Sequence, residues 1–291
     1  VLISSGTYYE NLILEKEIVL ASYAIYDELD STWLSSDYIH STIINGAPSQ
    51  STTNNGSCLV IRDNNIQPII KGLTFQDGVG TSISEIVCDV KQQKRSGGAI
   101  LIYNAYPTIM FNRFIDNGLF ENTQDDILAY VTEGGAISHY DDAEVEFDED
   151  RTRNINNNRT NRIRTVPTTM NIQNNYFENN GSGNGENFYS NGFTGSIDLS
   201  NSVFDNIDCE TNTVNEFILK SKTNEADYIQ DGIIGDCIEQ NTYFIDAIDG
   251  SDQNSGTESE PFLTIRKALS LLKDNGSTTF INVAEGTYSP S

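Results

Sequence analysis

Apolar residues along this chain come in short alternating bursts rather than long runs. In Pro68-Ile-Ile-Lys-Gly-Leu-Thr-Phe75-Gln-Asp-Gly78 the burst ends in a turn signal. A period of two belongs to extended chain, whose successive side chains point to opposite faces. The pattern returns in Pro107-Thr-Ile-Met-Phe-Asn-Arg-Phe114-Ile-Asp-Asn117-Gly118 and, three residues longer, from Pro167 through Phe177 and Asn180 to Gly181. A looser copy without the proline runs from Ile197 through Phe204 to Asn206. Between the copies stand Gly97-Gly98-Ala99-Ile100 and Gly134-Gly135-Ala136-Ile137, with Gly195-Ser196-Ile197 as a weaker echo. Short strands closed by Gly or Asn and repeated at irregular spacing predict an all-β solenoid whose coils carry loops of unequal length. Phe75, Phe114, Phe177 and Phe204 would stack inward as a core column. Asn117 and Asn180 would sit in equivalent left-handed turns, with their amides bonding along the stack.

The tail has a different pattern. Tyr243 to Thr257 reads as a strand and a polar turn, and Pro261 to Leu272 as a helix opened by proline and stopped by Asn275-Gly276. Phe262, Ile265, Leu269 and Leu272 recur at intervals of three, four and three, which gives that helix one apolar face. Phe280 to Tyr288 reads as another strand and turn. Val1-Leu-Ile-Ser-Ser-Gly6-Thr7-Tyr8 matches Ile281-Asn-Val-Ala-Glu-Gly286-Thr287-Tyr288 at a constant offset. The opening residues therefore read as a first coil without its cap, and the tail as a cap without its coil.

Together the Gly-Gly-Ala-Ile and Phe-x-x-Asn elements resemble right-handed parallel β-helix proteins of the broad pectate-lyase-like superfamily, particularly the secreted or surface β-helix repeat proteins of bacteria. Asp-Gly-Ser-Asp-x-Asn-Ser-Gly-Thr, Glu-Pro-Phe-x-Thr-Ile and Val-Ala-Glu-Gly-Thr-Tyr look like the start of such a domain. The resemblance implies a right-handed parallel β-helix over residues 1–240, with a loop insertion at about 141–165. Residues 241–291 would be a strand–helix–strand cap that starts the next module or caps a neighbouring protomer. In either case Phe262, Ile265, Leu269 and Leu272 would meet a coil like that of Val1 and Ile3. A chain opening on Val1 with no initiator Met is expected to be a mature product or a segment of a longer one.

Composition narrows the partners. The chain of 291 residues has 42 acidic and 17 basic side chains, a net charge of −25, which repels nucleic acid and anionic lipid. Its short apolar runs predict no membrane insertion. Partners are expected to be a second copy or successive module, with polysaccharide as a further candidate. The 32 asparagines suit frequent turns. Cys58, Cys88, Cys209 and Cys237 are too scattered for zinc. Bridges Cys58–Cys88 and Cys209–Cys237 would close local loops in an oxidising compartment, but four cysteines allow three pairings.

Catalytic signals are thin. The resemblance implies, for a Ca²⁺-dependent polysaccharide lyase, aspartates such as Asp125, Asp126, Asp141 and Asp142 with Arg151 or Arg153 as the base. For a hydrolase of the same superfamily, the His-Gly and Arg-x-Lys parts are broken at His40, His139 and Arg162-Ile-Arg164. His139 is expected to face outward from its strand. The acidic block Asp141–Asp150 and the arginines that follow read as an excursion whose opposite charges pair. Asp249, Asp252 and Asn254 are the candidate Ca²⁺ ligands, and Ca²⁺ is the only cofactor the sequence suggests. Tyr23, Tyr26, Trp33, Tyr38, Tyr130 and Tyr189 could stack on sugar rings, and the loop from Ser22 to Ser41 carries the first four. The reading is an extracellular structural or adhesive protein assembling end to end as a fibre or surface array. The alternatives are the lyase and a non-catalytic glycan-binding module.

Overall fold

A computed structural model describes residues 1–47, 56–87, 90–118, 131–141, 145–147, 166–214, 218–222, 227–237, 241–252, 254–272 and 278–288. Strands dominate them, and most pair in parallel. One sheet gathers Leu2–Ile3, Val19–Ser22, Ile69–Lys71 and Thr108–Met110, with Thr169–Asn171, Ser196–Asp198 and Asp227–Ile229 beside it. A second holds Gly6–Tyr9, Thr42–Asn45, Thr74–Gln76, Arg113–Ile115, Tyr176–Glu178, Val203–Ile207 and Ile234–Cys237. A third holds Leu12–Leu14, Leu59–Ile66, Ile100–Ala105, Ile137–Tyr140, Phe188–Asn191 and Leu219–Ser221. The chain visits these sheets in that order and then returns to the first. Each of the first six circuits thus lays one strand on each sheet, parallel to and beyond the strand of the circuit before, and a seventh adds strands to the first two.

The repeated prolines and phenylalanines fall in register. Ile70 lies opposite Ile109, Phe75 opposite Phe114, and Phe114 opposite Phe177. The four rings stack face to face, with centroids 5.5 Å apart for Phe75–Phe114 and 5.1 Å for Phe114–Phe177 and Phe177–Phe204. Ile44 continues the column on one side. On the other it ends, because Gly235 follows Ile234, the partner of Val203. Apolar side chains from all three sheets meet around these rings in one continuous core.

Two columns of buried amides tie the corners together. At the corner after the second sheet, Asn117 Oδ1 accepts from the Gly78 N–H at 3.0 Å, and Asn117 Nδ2 donates to the Phe75 carbonyl at 3.0 Å. Asn180 Oδ1 in turn accepts from the Asn117 N–H and Nδ2, at 3.2 and 3.0 Å. At the corner before that sheet, Asn112, Asn175 and Ser202 repeat the arrangement. Each amide takes a backbone N–H and a backbone carbonyl of the preceding circuit, so it satisfies corner groups that no strand pairing reaches.

The left-handed residue is not the one expected. It precedes the buried asparagine: Asp116 and Asn179 have φ of 55° and 51°, and Phe111 and Asn174 have 59° and 53°, while Asp77 and Asn201, at 54° and 56°, hold the same place ahead of Gly78 and Ser202. The asparagine is thereby turned inward, where its amide is buried rather than held at the turn's apex. Glycine is required elsewhere. A Cβ on Gly98 would lie 1.8 Å from the Gly135 carbonyl oxygen, and Gly97 and Gly134 have φ of 63° and 66°. The next member of this glycine series is Gly185-Glu186, since Ile137 pairs with Phe188; Gly195-Ser196-Ile197 belongs to the first sheet, where Ile197 pairs with Met170.

Among the described residues three segments leave the circuits. Tyr23 to Ser41 is helical rather than a loop, made of short turns at Tyr23–Tyr26, Leu29–Thr32, Trp33–Ser35 and Asp37–Ser41. Thr81–Val87 and Val90–Ser96 form an antiparallel hairpin over the outer face of the third sheet. Val145–Phe147 pairs antiparallel with Ile83–Glu85, so this part of the acidic block adds to the hairpin. Arg151, Arg153, Arg159, Arg162 and Arg164 lie outside the described residues. A disulfide joins Cys209 to Cys237, linking the sixth and seventh circuits; Cys58 is a buried free thiol, and Cys88 is outside the described residues. Burial pushes the Cys58 thiol up to about 12.

Phe114 has a ring on either side, so Phe114→Ala is expected to cost about 3–5 kcal/mol in urea unfolding. Asn117→Ala leaves the Gly78 N–H and the Phe75 carbonyl without this partner and is expected to cost about 1–3 kcal/mol in the same assay. A loss below about 0.5 kcal/mol for Asn117→Ala would mean that the amide column does not hold the corner.

Candidate assembly site

The tail folds as a separate unit with its own core. Thr242–Ile245 pairs in parallel with Phe280–Val283, and the helix Ile265–Ser270 crosses between them. Parallel strands need such a crossover. Tyr243, Ile245, Phe262, Ala268 and Leu271 pack together beneath the helix. Thr264 caps it by accepting from the Lys267 N–H at 3.1 Å.

Asp252 holds the approach to the helix, accepting from the Leu263 and Thr264 N–H groups at 3.0 and 2.8 Å and from the Thr264 hydroxyl at 2.7 Å. Asn254 Nδ2 donates to the Pro261 carbonyl at 2.8 Å. The Asp249 N–H donates to Asp246, whose carboxyl is held below its ordinary value by this bond and the one from the Ile248 N–H. The three candidate Ca²⁺ ligands thus take part in bonds that shape the turn. Among the described residues no group of three or more His, Cys, Asp or Glu could hold a metal ion.

The helix is shorter than its apolar pattern, and it buries a different face. Phe262, Ala268 and Leu271 are buried, whereas Ile265, Leu269 and Leu272 are 36%, 53% and 38% exposed. The 3-4-3 spacing therefore marks mostly an outward stripe, and Phe262 alone of that set reaches the unit's core. At the other end of the chain, Val1 is 70% exposed and Ile3 partly buried.

Within this chain the tail rests on the flank of the stacked circuits. Lys267 Nζ lies 3.5 Å from Glu186 Oε1, and Glu186 belongs to the fifth circuit, with two further circuits beyond it. A cleft of about 960 Å³ separates the two bodies, with Glu178, Glu186, Asp205 and Asp236 on one wall and Arg266 and Lys267 on the other. No described contact of the tail covers the strands of the first circuit.

The constant offset extends to geometry. The Tyr8 hydroxyl donates to the Ser4 carbonyl at 2.9 Å, and the Tyr288 hydroxyl donates to the Ala284 carbonyl at 2.9 Å. Leu2–Ile3 has its described parallel partner, Val19–Ser22, on the side of the following circuit. Phe280–Val283 has its partner, Thr242–Ile245, on the side of the preceding chain.

Candidate catalytic groups are not assembled. Asp141 accepts from the Tyr106 hydroxyl at 2.8 Å, while Asp125, Asp126, Asp142, Arg151 and Arg153 lie outside the described residues. His40 Nε2 is 3.0 Å from the Leu34 carbonyl. His139 faces inward, contrary to expectation, between the rings of Tyr106 and Phe193. Burial lowers it to about 3, an effect the Ala105 backbone opposes only weakly, so the ring is neutral and shielded from solvent. Its strand partners Ile102 and Ser190 carry the same inward register.

The sequence held no signal for a polar network under the hairpin. There Lys94 Nζ pairs with Glu133 at 2.5 Å, the Tyr140 hydroxyl donates to Glu133, and Ser96 bonds to Ser138 at 2.9 Å and Tyr140 at 2.8 Å. Burial, reinforced by Glu133, raises Tyr140 well above its ordinary value. This network is closed over by the hairpin and ties it to the third sheet.

A model for a family described as DUF1565, protein of unknown function, matches residues 248–291. That span covers the tail unit from the turn after its first strand. No curated protein and no solved structure matches the chain. No described helix is long and apolar enough to cross a membrane.

The contact holding the tail is sensitive to pH. Burial pushes the Glu186 carboxyl up, and Lys267 pulls it only part of the way back. A carboxylate with a raised folded pKa costs stability where it is ionised, and the cost fades as pH falls through that value. Glu186→Gln is therefore expected to melt higher than the parent at neutral pH, with the difference closing on acidification; a gap in Tm that widens instead contradicts this.

Proposed function

We propose that this chain is an extracellular structural or adhesive protein, a right-handed parallel β-helix that joins end to end with further copies or modules of itself. The single observation that carries the reading is the repeat of residues 1–8 at 281–288, with the same tyrosine-to-carbonyl hydrogen bond and complementary strand partners. Among the described residues the opening strand pairs with the circuit that follows it, and the tail strand with the chain that precedes it. Laid over the opening circuit, residues 281–288 would continue the stack, with the tail unit as the cap of a first circuit.

Three further features support it. The three parallel sheets are filled in constant order, and parallel crossovers are right-handed in about 98% of cases. The matched family is associated with β-helix repeat proteins. The tail's seat in this chain is a polar one, an ion pair beside a cleft, while the stripe Ile265, Leu269 and Leu272 stays exposed. An apolar stripe on a small unit fits a contact that one chain does not make. The disulfide and the negative charge suit an oxidising space outside the cell.

Head-to-tail contacts that do not close continue into filaments. Light scattering and negative-stain microscopy of the purified chain across a concentration series are expected to show linear oligomers. Leu269→Lys with Leu272→Ser, both at exposed positions, should shorten them to monomers while changing stability by no more than about 0.5 kcal/mol per site. A parent chain that stays monomeric throughout, or a variant that assembles as the parent does, would discard end-to-end joining.

A further inference from the structure

The helical excursion from Tyr23 to Ser41 has an inner and an outer side with different chemistry. Inside, Ala24, Leu29, Trp33 and Ile39 pack onto Phe111 of the fourth circuit, with Tyr176 and Val203 of the next two circuits alongside. Trp33 meets Phe111 edge-on at 6.2 Å. Phe111 itself is held at φ 59°, a conformation that costs a bulky residue energy and persists only where packing over-determines it. The Ser22 hydroxyl, which caps the first turn, bonds to the Gly72 carbonyl. The excursion is thus fixed to the corner of the stack.

Outside, three tyrosine rings form one patch. Tyr23 lies 6.1 Å from Tyr26 and 6.2 Å from Tyr38, and the three are 41%, 72% and 44% exposed. Between residues 18 and 61 the sequence has four carboxylates, Asp27, Glu28, Asp30 and Asp37, and no lysine or arginine. Glu28, Asp30 and Asp37 are exposed among the tyrosines. Aromatic faces attract cations, and surrounding carboxylates add to that attraction. The inner side already shows the pairing, since Lys71 Nζ sits 4.9 Å over the Phe111 ring.

We infer that the outer face of residues 23–38 is a docking surface for an arginine- or lysine-bearing segment of a partner protein. A neutral sugar could stack on the same rings, but it gives no account of the unbalanced carboxylates. The inference stands apart from end-to-end joining, because it uses no residue of the tail or of the opening circuit.

Trp33, the only tryptophan of the chain, packs on the inner side of the same excursion, so its fluorescence reports on this excursion. The probe is a hexa-arginine peptide, titrated into the full chain in parallel by fluorescence and calorimetry at physiological salt, with cellohexaose as the uncharged comparison. The peptide is expected to give a saturable change in Trp33 emission, and cellohexaose none. Tyr26→Ser with Tyr38→Ser should weaken the peptide about ten-fold, since each exposed cation–π contact contributes roughly 0.5–1 kcal/mol. The corresponding phenylalanine pair should retain binding, which separates the ring faces from the hydroxyls. Asp30→Asn with Asp37→Asn should weaken binding and flatten its salt dependence. Equal binding to the serine variant would show attraction to the net charge alone and overturn the inference. So would an unchanged Trp33 signal, or a larger response to cellohexaose than to the peptide.

Discussion

Every circuit of this chain lies one strand spacing from the next, and that repeat constrains the corners more than the strands. Along the strands, parallel pairing satisfies the backbone with any side chain that suits the interior. At the corners the chain bends, and its amide groups no longer face a partner strand. The buried side chains of Asn112, Asn175, Asn117 and Asn180 take over there, each accepting from an N–H and donating to a carbonyl of the circuit before it. Such bonds demand that successive corners have one shape. The left-handed residue ahead of each asparagine and the glycines that leave no room for a Cβ serve that demand. Loops of very different size can then leave the circuits, because each departs from and returns to a corner of fixed geometry.

Much of this was legible as repetition. Phenylalanine, asparagine and paired glycine recur because each has a place in a column, and a column leaves its mark at every circuit. What could not be read is what occurs once. The Thr81–Ser96 hairpin has no second copy, so its antiparallel pairing left no periodic trace, and neither did the Lys94–Glu133–Tyr140 network it covers. His139 was misjudged because alternation fixes a face only relative to a known neighbour. In the strand Ile137–Tyr140 all four residues are buried, two in the core and two under the hairpin. With both faces covered, polarity no longer distinguishes inside from outside.

The tail shows a different limit. Its 3-4-3 spacing marks an apolar stripe, yet the buried face is set by Phe262, Ala268 and Leu271. Alanine carries little weight in a hydrophobic pattern, but on this short helix it is the residue that allows close approach to the strands. The larger Ile265, Leu269 and Leu272 are left outward. Of the turn residues named as candidate Ca²⁺ ligands, Asp252 accepts from the Leu263 and Thr264 N–H groups and Asn254 donates to the Pro261 carbonyl. Asx residues favour both cation sites and backbone turns, and spacing alone does not separate the two.

The column of rings has a mechanical corollary. Four phenylalanines fill the middle circuits, and at the seventh Gly235 puts nothing in their place. That is where the Cys209–Cys237 bridge sits, so a covalent bond carries load at the end where aromatic cohesion stops. The opening circuit has neither device. Under tension along its axis the molecule would peel from the Val1 side while the opposite end held, giving it a built-in direction of yielding.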